Sequence, residues 1–337
     1  MLPLRRLLPA ALSLPALFAV PGLASAQPFK DRVIEGDVGA HAAQVAPGAT
    51  TARYPTADGL TIPVTAADPA VAQRYASFVG NLPHGAELAS LRIVVVPSTE
   101  IASACGGDDG DGILACYGGR DQTMIVPAEQ MSGSDGITTD YVITHEYGHH
   151  IAAHRSNAPL EALDFGPKRW SSYELVCANT LDGRLAPGDE GENYLSNPGE
   201  GWAEAYARLV YPGMAWRFTS LLKPTQGSLL AAMADIAQPW RQRQNQTFTG
   251  NGTRSFKLPL TLDGAFTLRL DGPARAQYDI VVRSGGKVQE KTSKAGSQDR
   301  IHYRIACRDR RTENLTITVL KRSGPGGPYT LKASYAG

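Results

Sequence analysis

The chain has 337 residues, a formal net charge of +1, 42% hydrophobic residues and four cysteines. This length and apolar content exclude a chain too short or too polar to bury a core, and they suit two globular domains. The near-zero total hides an asymmetry: residues 27–244 carry 15 Lys+Arg against 25 Asp+Glu, or −10, and residues 245–337 carry 16 against 7, or +9. The basic part suits docking on the acidic part, contact with an anionic polymer or cell surface, or a plain solvated face. No nucleic-acid partner is expected.

In chain order, Arg5 and Arg6 precede an apolar run over 7–20, and Ala24-Ser25-Ala26 has the small-x-small form of a signal-peptidase site. Residues 1–26 therefore read as a signal peptide, with the mature chain starting at Gln27. The protein is expected to be secreted and extracellular, or periplasmic in a Gram-negative source. The run is broken by Pro9 and Pro15, and no later stretch approaches the roughly 20 apolar residues of a membrane span, so no transmembrane segment is expected. Residues 27–54, rich in Ala, Gly and Pro, read as a loosely structured lead-in or short propeptide.

Residues 55–244 form the next expected unit. Asp68-Pro69 starts a helix reaching 82, with Val71, Tyr75, Phe78 and Val79 on one face. Residues 91–96, closed by Pro97, make a strand, and 113–117 and 123–126 flank Gly118-Gly119 as a hairpin. A helix without proline covers 138–154. A long irregular stretch follows, of the kind that is usually functional in a compact domain. A second helix then begins at Asn197-Pro198 and reaches about 211, and a third covers 228–236. Strand, hairpin and helix in this order predict an α+β domain in which the helix packs on a mixed sheet. From 247 the pattern changes to short alternating segments at 255–260, 265–270, 278–283, 301–306, 315–320 and 329–334. These predict an all-β sandwich over 245–337, after a linker near 241–246.

An even number of cysteines in an exported chain favours two disulfides. Cys105 and Cys116 flank a short Gly/Asp-rich loop, which leaves Cys177 for Cys307; the other two pairings stay open. Asp108, Asp109 and Asp111 in that loop suit a calcium ion or, more simply, a solvated turn.

The 138–154 helix contains His145-Glu146-Tyr147-Gly148-His149. The i,i+4 spacing puts both imidazoles on one face, where they reach a common point, and the pattern is a zinc-binding one. Glu146 points to a different side, where a carboxylate can hold a metal-activated water and take its proton. Two surface histidines satisfied by water would show the same letters, but here the motif follows a strand and hairpin in an exported chain. His150 and His154 are read as packing or surface groups. A catalytic zinc site takes three protein ligands and keeps one position open. A metzincin would place Gly at 152 and His at 155, whereas Ala152 and Arg155 stand there.

The segment from Asn197 to Glu204 offers Glu200 and Glu204 at i,i+4, so that one can bind the metal while the other holds a ligating histidine. Asn197-x-x-Glu200 with Pro198 is also a capping box; in that case Glu200 serves backbone amides and Glu204 is the ligand. Glu174 and Asp164 are further candidates. The two motif helices resemble those of the gluzincins, the thermolysin-like zinc peptidases, over about 138–211. The resemblance implies Glu200 as third ligand, Glu204 behind a histidine, and peptide-bond hydrolysis with Glu146 as general base. The intervening loop does not match the family, so its transition-state Tyr and His have no aligned counterpart. Tyr194 is the candidate oxyanion donor, and Tyr206 reads as a core aromatic beside Trp202 and Leu209.

Ser255-Phe256-Lys257-Leu258, Leu262-Asp263-Gly264-Ala265-Phe266, Tyr278-Asp279-Ile280 and Gly327-Pro328-Tyr329-Thr330-Leu331 resemble the bacterial pre-peptidase C-terminal domain. The likeness spans about 90 residues and implies a jelly-roll-like sandwich that assists secretion or substrate attachment. The expected activity is that of a secreted zinc peptidase or related amide hydrolase acting on a peptide or protein. One rival is an inert zincin half whose sandwich grips cell-wall polymer; another is a dedicated enzyme cutting one exported partner or a cell-wall peptide.

Overall fold

The computed structural model describes residues 33, 34, 38, 48–108, 112–132, 136–292 and 297–337, and the side chains of 303–306 are not among those described. The expected signal peptide, and Asp109 and Asp111 of the candidate calcium loop, lie outside the described residues.

Six strands form the first sheet: β1 (Val33–Ile34), β2 (Thr50–Pro55), β3 (Thr61–Ala66), β4 (Arg92–Val96), β5 (Cys116–Gly118) and β6 (Thr123–Pro127), in the spatial order β1-β5-β6-β4-β3-β2. The sheet is mixed: β3, β4 and β6 run parallel, β2 and β5 pair antiparallel with β3 and β6, and β1 adds to β5 in parallel. The hairpin expected around Gly118-Gly119 is the β5–β6 pair. The expected loose lead-in over 27–54 is corrected at its end, because Thr50 to Pro55 pair fully with β3.

Helix α1 (Pro69–Gly80) starts where Asp68 accepts the N–H of Ala70, with Pro69 in its first turn. It buries Ala72, Tyr75, Ala76 and Val79, and the Tyr75 hydroxyl donates to Pro127 O at the end of β6. Compared with the expected face, Tyr75 and Val79 are core and Val71 and Phe78 are its partly buried rim. A short helix α2 (Ile101–Ala104) covers the other face of the sheet, where Ile101 and Ala104 pack with Val94, Val96, Ile125 and Val38.

Helix α3 (Thr139–Ala153) carries the histidine motif and is capped by Thr138, which accepts the Tyr141 N–H. It is buried on nearly all sides, as a helix sandwiched between a sheet and other helices must be. Three short helices follow, α4 (Ala162–Phe165), α5 (Lys168–Tyr173) and α6 (Val176–Leu181), and then α7 (Pro198–Val210) and α8 (Gln226–Ala237). The irregular stretch expected after Arg155 is thus three one-to-two-turn helices joined by glycine and proline turns. Tyr147, Ile151, Trp170, Trp202 and Tyr206 share one core with Val95 and Met124 of the sheet.

The C-terminal part comprises two four-stranded antiparallel sheets. One has the order β11 (Lys287–Lys291), β10 (Gln277–Ser284), β13 (Glu313–Ser323), β8 (Arg254–Leu260), and the other β12 (Gln298–Ala306), β9 (Gly264–Asp271), β14 (Pro328–Tyr335), β7 (Gln244–Asn251). Leu258, Ile280 and Ile317 from the first meet Leu268, Leu270 and Leu331 from the second in one core. This is the sandwich arrangement expected from the alternation. The expected linker over 241–246 is shorter, because β7 begins at Gln244.

Two disulfides are present, Cys105–Cys116 and Cys177–Cys307, and the second ties α6 to the sandwich. Among the described residues no helix is long and apolar enough to cross a membrane.

Candidate metal centre

Helices α3 and α7 bring the expected residues together because of one glycine. A Cβ added to Gly148 would lie 2.8 Å from the Cα of Ala203, so the two axes can approach this closely only with hydrogen at 148. The Trp202 indole N–H donates to Gly148 O at 2.8 Å and locks the crossing. At that crossing, Nε2 of His145 lies 3.1 Å from one oxygen of Glu200, and Nε2 of His149 lies 3.3 Å from the other. Donor atoms of the three residues all fall within 4.8 Å of one another, the one such cluster of at least three among the described residues. Groups bound to a tetrahedral zinc at about 2.0–2.1 Å sit roughly 3.3–3.4 Å apart, so the spacing fits that ion.

The other end of the His145 ring, Nδ1, lies 3.3 Å from Glu204. A carboxylate behind the non-ligating nitrogen fixes ring orientation and tautomer, which is the supporting role expected for Glu204. Glu200 does not close the capping box, since the Asn197 side chain accepts the Gly199 N–H while its backbone N–H goes to Tyr194 O. Glu174 and Asp164 are elsewhere: Glu174 is buried, its carboxyl raised by burial, and Asp164 lines a groove beside Gly188.

His145, Glu146, His149, Glu200 and Glu204 are all 0% exposed. Two imidazoles and three carboxyl groups are thus buried side by side, and polar groups of this kind are costly to bury unless they are paired or hold a metal. Arg217, from the loop after α7, comes within 3.7 Å of Glu204, and 22% of its side chain is exposed. The donor set therefore suits a buried divalent cation, with two nitrogens and a carboxylate as borderline ligands for zinc.

Tyr194, the expected oxyanion donor, is buried, with its ring centroid 5.5 Å from that of Phe218; Phe218 in turn stacks on His145 at 6.3 Å. Tyr206 is core, its hydroxyl donating to Pro83 O. His150 and His154 face away from the cluster. His150 bonds Tyr117 and Glu87 O, and burial pushes its imidazole down to about 4; His154 meets Ser90. Arg155 is spent on Glu87 at 2.9 Å, a buried ion pair.

Arg217 and Phe218 were not legible in sequence. They lie in an aperiodic loop, and only the turn after α7 brings them against His145 and Glu204.

No protein-family model and no curated protein matches the sequence. Among solved structures, the chain is similar to a pre-peptidase C-terminal domain of a Bacillus anthracis collagenase, at 12% identity over 26% of this chain and 88% of that one, TM-score 0.23. It is also similar to a periplasmic inhibitor of g-type lysozyme from Aeromonas hydrophila, at 11% identity over 28% of this chain and 85% of that one, TM-score 0.19. A Bacillus endospore appendage protein matches at 17% identity over 28% of this chain and 90% of that one, TM-score 0.15. Such scores assign neither a family nor an activity.

Proposed function

We propose that the protein is a zinc-dependent peptidase of zincin type, with the ion held by His145, His149 and Glu200. The observation that carries this reading is the convergence of two Nε2 atoms on the two oxygens of one buried carboxylate, with a second carboxylate behind His145. Bound there, zinc supplies Lewis acidity that acidifies water and polarises a carbonyl. Glu146 shares the helical turn of both histidines and takes the proton of the attacking water as general base. It then returns that proton to the amine as the C–N bond breaks. Glu204 holds the His145 ring in place through both steps.

The sandwich, by its likeness to domains that accompany secreted peptidases, serves attachment or export. Its +9 charge supports contact with an anionic surface. The test is casein or quenched-peptide hydrolysis by purified protein, with zinc counted per chain. Glu146→Gln should lower the rate by about 10²–10⁴ while one zinc is retained, and chelation should abolish it. Activity unchanged in either case sinks the reading. Stoichiometric zinc with no hydrolysis on any peptide would favour the alternative in which the sandwich is the working part.

A further inference from the structure

A pocket of about 320 Å³ opens at the seam between the helical part and the sandwich. Ala158 and Pro159 line it from the stretch after α3, Trp240 and Arg243 from the segment after α8, and Gly264 and Ala336 from the sandwich. A mainly apolar hollow with a few polar groups, set between two packed parts, is the usual form of a small-molecule site.

A buried cation borders this pocket. Lys168, at the start of α5, is 1% exposed, and its Nζ donates to Ala158 O at 2.8 Å. The same nitrogen stands 4.8 Å from the centroid of the Trp240 ring, and a Cβ added to Gly264 would come within 3.4 Å of it. All three of these neighbours are pocket-lining residues. An ammonium has three N–H donors, and Ala158 O takes one of them. Among the described residues Lys168 has no ion-pair partner within 4.0 Å: of the acids whose charges act on it, Asp263 is paired with Arg308 at 3.2 Å and Asp235 with Arg169 at 3.3 Å. Burial pushes the amine down to about 8, against the pull of Asp263 and Asp235 and with the push of Arg308. An interior charge of this kind is costly until a counter-charge meets it.

Two further groups point to the same ligand chemistry. Arg243 brings a second cation to the rim, where it is exposed and donates to Ala265 O at 3.4 Å. The Trp240 indole N–H is buried with no acceptor among the described residues. Two cations and a spare indole donor beside apolar walls are the complement of a carboxylate carried on an apolar body. We propose that this seam pocket binds a small carboxylate, whose oxygens take the remaining N–H donors of Lys168 and meet Arg243 while its apolar body lies against Trp240 and Pro159. The proposal does not rest on the peptidase reading. Since the walls come from both parts, the bound ligand also clamps the sandwich onto the helical part.

The test is titration calorimetry of the full chain with phenylacetate, and with phenylacetamide as its uncharged counterpart. Phenylacetate should bind once per chain, and phenylacetamide at least about tenfold more weakly, the difference expected of a hydrogen bond between charged groups. Lys168→Met should erase the preference for acid over amide. Arg243→Gln changes only an exposed side chain, so it should fold as the wild type does, and it should weaken phenylacetate by about threefold or more. In the unaltered protein, phenylacetate affinity should fall as pH is raised from about 7 to about 9.5, where Lys168 gives up its proton, and phenylacetamide should show no such fall. Equal affinity for acid and amide, an acid preference that survives in folded Lys168→Met, a phenylacetate affinity that is flat in pH, or no saturable binding would each overturn the proposal. Loss of the preference in Lys168→Met with Arg243→Gln unchanged would uphold the site with Lys168 as its sole cation.

Discussion

Glu200 is the residue on which the proposed metal binding turns, because its carboxylate touches both imidazole Nε2 atoms. Glu200→Ala should abolish stoichiometric zinc while leaving far-ultraviolet circular dichroism unchanged, as read by metal analysis of refolded protein. Glu204 acts through His145 and so should matter by degree. Glu204→Gln keeps the shape but removes the charge behind Nδ1, and zinc affinity should fall about 10–100-fold in a competition titration. An equal loss for both substitutions would mean that the two carboxylates share the ligand role. The histidine motif was legible as soon as its spacing was read. The choice between Glu200 and Glu204 was open in sequence, since an acid at that distance from Asn197 serves a helix cap as well as a metal; what separates the roles is where each carboxylate points.

At the scale of elements, the closeness of α3 and α7 decides whether those residues meet. Gly148→Ala drives a methyl into the Ala203 backbone and should cost about 1–3 kcal/mol of stability, together with weaker zinc binding as Glu200 is pushed away. Urea unfolding with and without zinc measures both. A second element depends on a partner remote in sequence. The first turn of α5 has no capping side chain of its own, and Asp235 on α8 accepts the N–H groups of Arg169 at 3.0 Å and Trp170 at 2.9 Å. Burial raises the Asp235 carboxyl from 3.8 to about 6, even though those hydrogen bonds oppose the rise. The folded state therefore binds more protons than the unfolded one between these values, so this group's contribution is full below pH 3.8 and lost as pH rises through about 6. Asp235→Asn should flatten that stretch of the stability profile, a span of about 3 kcal/mol, and a slope unchanged in the variant would assign it to another group.

For the molecule as a whole, hydrogen bonds to backbone and the Cys177–Cys307 disulfide hold the junction of the two parts, beside the opposite charges of Lys168 and Asp263. Buried Arg308 pairs with Asp263 of its own part and donates across to Ser172 O at 3.1 Å, while Arg311 reaches Tyr173 O at 3.2 Å. Both carbonyls close the last turn of α5, where cations are favoured by the helix dipole. Arg308→Ala would leave Asp263 buried without its charge partner and should cost about 3–5 kcal/mol, visible as a lower midpoint in thermal unfolding. The Cys177–Cys307 disulfide should limit separation of the parts in that variant.

The elements that could be read from the chain alone are those whose residues face a core on a regular period: α1, α3, α7, α8, β4, the β5–β6 hairpin and the sandwich strands β8, β9, β10, β12, β13 and β14. The strands that escaped are β1, β2, β3, β7 and β11; four of them lie at sheet edges, where little side-chain burial marks the pattern, whereas β3 is an inner strand whose alternation of Ile62, Val64 and Ala66 is short and interrupted by Pro63. By itself the sequence determined the pairing of His145 and His149, because two histidines four residues apart on a helix are neighbours whatever surrounds them. Which acid comes to lie between the two imidazoles, which loop packs against them and which segment pairs with β5 were decided by tertiary structure. These are contacts between residues up to about ninety positions apart, and the free energy that selects them comes from packing and from charge burial, neither of which has a local period.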